Sequence, residues 1–140
     1  MYVSLSAALN GSTISPKVFE KLCLEKTVQD APDDDARLRF IKGATQLHRQ
    51  WILLQNDRIR LQQHWAEFFK EFDVLLMPVA PVASFPHDHR PFYDRHVSVN
   101  GRDTQYVDAL YSWAGLAGVA YLPSTVVPVG FTSKGLPVGI

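Results

Sequence analysis

"LPSTVVPVGFTSKGLPVGI", residues 122–140, is the stretch on which the fold turns. Val126, Val127 and Val129 read as one strand beginning near Ser124, just after Pro123. Ser133-Lys134-Gly135 reads as a turn in which Gly135 supplies a positive φ and Lys134 points to solvent. "LPVGI" then begins a return strand.

The segment immediately upstream, "YVDALYSWAGLAGVA" (106–120), is expected to be helical from about Val107. Ala114, Gly115, Ala117 and Gly118 make its second half small, which allows another element to approach closely. Before it, "HVSVNGRDTQY" (96–106) alternates at Val97 and Val99 and offers Asn100-Gly101 as a two-residue hairpin turn. Residues 83–96 form a loop rich in His, Asp and Pro. "DVLLMPVAPV" (73–82) carries a continuous apolar run, Val74 to Met77, which predicts a strand buried on both faces of a mixed sheet. Pro78 and Pro81 close it, because neither donates to a ladder.

Residues 1–72 read as helical. Ser15 is a suitable N-cap with Pro16 at the first helical position, where its missing N–H is harmless. "DAPDDDARLRFIKGATQLH" (30–48) reads as the next helix, with Asp33, Asp34 and Asp35 favouring its N-terminus. Trp51, Leu54, Leu61, Trp65, Phe68 and Phe72 recur at helical spacing, and such a stripe predicts core packing. No repeat or low-complexity linker divides the chain, so residues 1–140 are expected to form a single unit.

The 140 residues hold 46% apolar and 20% charged residues, the balance of an ordinary globular protein. Fourteen basic residues offset fourteen acidic ones, which argues against nucleic acid as a partner. No apolar run approaches the ~18 residues of a membrane helix. The first residues lack a signal-peptide pattern, and Cys23 is the sole cysteine, so a cytoplasmic location is expected.

Candidate chemistry concentrates in "PHDHRPFYDRH" (86–96), which places His87, Asp88, His89, Asp94 and His96 close together. On an extended segment His87 and His89 would share a face, so a metal-dependent hydrolase using these two stays open. Their spacing matches no familiar zinc motif, and a solvated loop explains the same residues better. Cys23, between Leu22 and Leu24, reads as a small buried hydrophobe rather than a nucleophile. No serine sits in G-x-S-x-G, and Ser133-Lys134 is a turn tip rather than a nucleophile and base. There is no phosphate-cradling glycine loop. From the residues alone, neither a catalytic constellation nor a cofactor site emerges.

Three stretches resemble the C-terminal region of the amidase signature family. They are "WAEFFKEFDVLLMPVAPVASFPHDH", "VNGRDTQYVDALYSWAGLAGVAYLPST" and "VVPVGFTSKGLPVGI". The last fits the pattern P-x-G-x-x-x-x-G-L-P-x-G through Pro128, Gly130, Gly135, Leu136, Pro137 and Gly139. The likeness is best from residue 65 and extends in weaker form from residue 38. It implies an α/β chain with a partial α/β/α amidase-signature fold: a helical first half, then strands of a mixed sheet, incomplete at both ends. It also implies hydrolysis of a carboxylic amide by a serine, a second serine on a cis peptide bond and a lysine. Those three lie in upstream segments with no counterpart here, so no residue of this chain inherits a catalytic, cofactor or metal role. The isolated chain is expected to be inactive, with a small-molecule amide as the parent's substrate. Residues 83–96 and the helix around Trp113 are expected to supply pocket wall or subunit contacts. The alternative is a self-sufficient interaction module using exposed sheet edges, and homo-oligomers through those edges are expected in either case.

Overall fold

The computed structural model describes residues 1–25 and 35–140, and Asp33 and Asp34 of the acidic run lie outside the described residues. The architecture is α/β, a helical first half followed by short antiparallel strands, consistent with the partial amidase-signature arrangement implied by the sequence. Two compact units divide the chain, Met1–Gln62 and Gln63–Ile140.

The first unit is built on helices α1 (Tyr2–Thr13), α2 (Pro16–Leu24) and α3 (Ala36–Ala44). Its core is small-residue packing between α1 and α3. Ala7, Ala36 and Ile41 are each only 2% exposed. A Cβ added to Gly43 would come within 2.7 Å of the Ala7 Cβ, and one added to Gly11 within 2.9 Å of the Ala44 oxygen. Glycine at both positions lets the two backbones meet more closely than larger side chains would permit. Ser15 and Pro16 open α2 as expected, although the Ser15 hydroxyl makes no cap bond. Asp35 caps α3 by accepting from the Leu38 N–H at 2.9 Å. Cys23 is exposed, which corrects its reading as a buried hydrophobe. The reason is local: α2 has no buried residue at all.

Helix α4 (His48–Phe68) is preceded by Leu47, whose N–H donates to the Gln50 side chain at 2.9 Å, one half of a capping box. Its apolar stripe is not a core. Trp51 and Phe72 are exposed, Leu54, Leu61, Trp65 and Phe68 only half-covered, and no residue of α4 is buried. At its C-terminal end the aromatic rings instead pack on one another. Phe68 stacks on Phe72 at 4.7 Å between centroids, and Trp65 on Phe69 at 5.7 Å. A helical pattern predicts which face wants cover; it does not supply the cover.

In the second unit the run Val74 to Met77 forms no strand, and Val74 and Leu76 are 68% and 72% exposed. The expected buried strand is therefore absent, because a strand needs a ladder partner, and one buried on both faces needs two covering layers as well. The strands that form are two antiparallel hairpins. β1 (His96–Val99) pairs with β2 (Arg102–Gln105) across Asn100 and Gly101, with φ of 52° and 79°. These left-handed values are those of the expected primed turn. Helix α5 (Tyr106–Ala120) follows directly, buries Val107, Ala109, Gly115, Ala117, Val119 and Ala120, and forms the unit's core with Val97. It ends in a Schellman cap. The Leu122 N–H reaches the Ala117 oxygen at 3.1 Å, with Tyr121 left-handed at φ 59° and Pro123 beyond.

The closing hairpin consists of β3 (Pro128–Phe131) and β4 (Pro137–Gly139). A bulge between Pro128 and Gly130 shifts its register. Val127 and Ile140 extend the pairing by exchanging two bonds of 3.0 Å. The turn is closed by the Thr132 N–H to the Leu136 oxygen at 2.8 Å, with Gly135 at φ 76°. Every residue of β3 is exposed.

Candidate functional site

The hairpin β1–β2 and the loop before it build a cleft of about 230 Å³ in the second unit. The antiparallel register pairs His96 with Gln105, and the next bond runs from the Tyr106 N–H to the Arg95 oxygen at 2.9 Å. The hairpin base therefore sets Arg95 and Tyr106 side by side at the cleft. Val97, buried, supplies apolar lining, and the preceding loop adds Phe85, Pro86, His87 and Asp88.

The aromatic part of the wall is a fixed edge-to-face arrangement. Tyr106 meets Phe85 at 5.9 Å and Phe92 at 5.6 Å between centroids, with interplanar angles of 78° and 84°. Phe92 belongs to a 3-10 turn, Phe92–Asp94, which packs near the hairpin base. The Arg95 guanidinium carbon stands 5.9 Å from the Phe92 centroid, and its Nε–H donates to the Arg90 oxygen at 2.8 Å.

The charged groups are tied down locally. Asp88 and Arg90 form a fork, with Arg90 Nη2 at 2.7 Å and Nε at 3.1 Å from carboxylate oxygens. The Arg90 backbone N–H adds an Asx-turn bond at 3.0 Å. The guanidinium hydrogen bonds first, and this backbone bond second, pull the Asp88 carboxyl down to about 2. The same pairing raises Arg90. His96 Nδ1 lies 2.8 Å from Asp103 Oδ2 across the hairpin. Asp103 is the diagonal neighbour of His96 on the same face of the ladder, which is how two residues seven apart come into contact.

Of the five residues marked out in the sequence, three line the cleft: His87, Asp88 and His96. His89 stacks its ring on His87 at 6.2 Å and an interplanar angle of 12°, so the two histidines do share a face. Asp94 sits in the 3-10 turn rather than in the cleft wall. Asp88 is committed to Arg90, and among the described residues no three His, Cys, Asp or Glu side chains converge to hold a metal ion. Trp113, in α5, is not part of this wall. Phe85 and Arg95 lie in the loop 83–96 expected as pocket wall, though neither stands out in the sequence, and nothing there marks Asp103 or Tyr106 for the cleft. The hairpin register would have found Asp103 and the Arg95–Tyr106 pair, since both follow from pairing residue 96 with 105.

Nothing in this cleft resembles a nucleophile with its base. Comparison with known proteins gives the wider frame. The model of the Amidase family matches residues 2–140, further into the first half than the motifs alone indicate. Similar proteins include the glutamyl-tRNA(Gln) amidotransferase subunits A of three bacteria. That of Listeria innocua is 31% identical over 121 residues, covering 82% of this chain and 23% of the relative. That of Synechococcus is 35% identical over 114 residues, covering 76% and 21%. That of Thiobacillus denitrificans is 38% identical over 90 residues, covering 62% and 16%. The chain thus spans about a quarter or less of the length of the curated relatives it matches.

Proposed function

The chain belongs to the amidase family, and from that premise we propose that it forms the C-terminal portion of an amidase domain acting on carboxylic amides. The observation carrying this reading is the family match over residues 2–140. The closing hairpin supports it: Pro128, Gly130, Pro137 and Gly139 occupy the strands, and Gly135 the turn, of the pattern read in the sequence.

In this reading the reacting groups come from polypeptide other than these 140 residues. A serine hydroxyl attacks the amide carbon while its proton passes, through a second serine and a lysine, to the departing nitrogen. Backbone N–H groups hold the negative oxygen of the tetrahedral intermediate. Water then opens the acyl-serine ester and leaves a carboxylate. Because the named relatives are amidotransferase subunits, transfer of the released nitrogen to a second acceptor stands beside hydrolysis as an outcome. The substrate is a small-molecule amide, and the present residues contribute scaffold: the α1–α3 packing, helix α5 and the two hairpins. The single cysteine and the absence, among the described residues, of a helix long and apolar enough to cross a membrane accord with a cytoplasmic setting.

The test is an assay of the purified 140-residue protein against simple aliphatic and aromatic amides. No turnover above the blank is expected, and activity should appear only when a polypeptide carrying the serine and lysine segments is joined to it. Turnover by the chain alone, surviving removal of contaminating hydrolases, would overturn the assignment of the reacting groups.

A second reading has its own observation. β3 is exposed along its whole length and Val74 to Leu76 are uncovered, which favours a self-sufficient interaction module whose exposed sheet edge takes a strand from a partner.

A further inference from the structure

We propose that the cleft beside the β1–β2 hairpin is a binding site for a small aromatic carboxylate, anchored by Arg95 and seated against Phe85 and Tyr106.

Charge decides the polar half of the ligand. Two ionised side chains line the cleft, Asp88 and Arg95. Asp88 is already matched, because both its oxygens are taken by the Arg90 guanidinium at 2.7 to 3.1 Å. Among the described residues Arg95 is ion-paired to no carboxylate, although its charge acts on Asp88 across the cleft. It spends Nε on the Arg90 oxygen, which leaves its two terminal nitrogens for a ligand. Those nitrogens form one side of a planar fork, the geometry that a carboxylate fills with two parallel bonds. The Arg95 side chain is also pinned, by that carbonyl on one side and by the Phe92 ring on the other, so little freedom is lost when a ligand binds.

Shape decides the other half. Phe85 and Tyr106 hold a fixed edge-to-face angle of 78°, and Val97 and Pro86 add apolar lining. A flat ring finds both a face and an edge there. At about 230 Å³ the space suits a single small ring and its acid group rather than a peptide or a nucleotide. His96, 2.8 Å from Asp103 through Nδ1, adds a polar wall.

The probe is benzoate, with benzamide as its neutral counterpart, titrated into the full 140-residue chain and followed by amide NMR. Benzoate should bind in the millimolar range with shifts centred on Val97 and Tyr106. Benzamide should bind about tenfold or more weakly, since a hydrogen bond to a charged group contributes roughly 1.5–3 kcal/mol. Arg95→Gln, which retains a donor for the Arg90 oxygen, should reduce benzoate affinity by a similar factor while leaving the remaining spectrum in place. Equal binding of benzamide, shifts centred elsewhere, or no saturation with benzoate would each overturn the proposal. The benzoate and benzamide comparison needs no variant, so a folding defect in Arg95→Gln does not blunt it.

Discussion

Asp88 shows how a residue that looks like a metal ligand in sequence becomes a structural anchor. Its carboxylate takes the Arg90 guanidinium and the Arg90 backbone N–H together, which locks the loop from Asp88 to Arg90, directly after His87. The Asp88 pKa falls from an ordinary 3.8 to about 2. With a folded pKa below the unfolded one, the pair stabilises the loop above the ordinary carboxylate range, and that contribution fades as pH drops from near 3.8 toward 2. Carbon-detected NMR titration of the Asp88 side chain should find its midpoint near 2 in the native chain. In Arg90→Ala the midpoint should return toward 3.8, and an unmoved midpoint would mean that the fork does not form in solution.

Among the elements, glycine separates two kinds of constraint that call for opposite explanations. Gly43 has ordinary backbone angles but no room, since an added Cβ would strike Ala7 and Ser4 within 3.0 Å. Gly101 has room, with nothing within 4 Å of an added Cβ, but holds φ at +79°. Gly43→Ala should therefore cost about 1–3 kcal/mol by overpacking α1 against α3. Gly101→Ala should cost about 1 kcal/mol through backbone strain alone. Hydrogen exchange separates them: the first loosens amides of α1 and α3, the second those of β1 and β2. Protection left intact in α1 and α3 of Gly43→Ala would contradict the close crossing. The elements read correctly from sequence were those whose cause is local, as at Asn100-Gly101, Pro16, Gly135 and the small-residue helix ending before Pro123. Val74 to Met77 and the α4 stripe were misread for one shared reason. Their apolar patterns specify a demand for neighbours, and the pattern is the same whether or not neighbours are present. The cleft was half legible. A cluster of His and Asp advertised the loop, whereas Arg95, Asp103 and Tyr106 enter through cross-strand register, which exists only once the two strands have paired.

At the scale of the whole molecule the notable quantity is uncovered apolar surface. Val126, Val129 and Phe131 are 64%, 58% and 76% exposed, and Val74 and Leu76 are more than two-thirds exposed. The hairpin also lies beside Val79, two residues past the run Val74 to Met77: a Cβ on Gly139 would meet Val126 at 2.9 Å and Val79 at 3.4 Å. A lone two-stranded hairpin is marginal in water, and its outer edges offer unpaired backbone donors and acceptors. The formal net charge of zero supplies no long-range repulsion to keep copies apart. The expected consequence is self-association by edge pairing. Sedimentation velocity over a wide concentration range should show the average mass rising with concentration. Phe131→Lys should shift the chain toward monomer, because a charge on an edge strand penalises pairing, and it should do so without loss of helical signal. Leu24→Lys, on α2 and 81% exposed in the native chain, is the control that should leave association unchanged. A single monomeric species throughout, or equal effects of the two lysines, would show that the hairpin edge is not the surface through which copies meet.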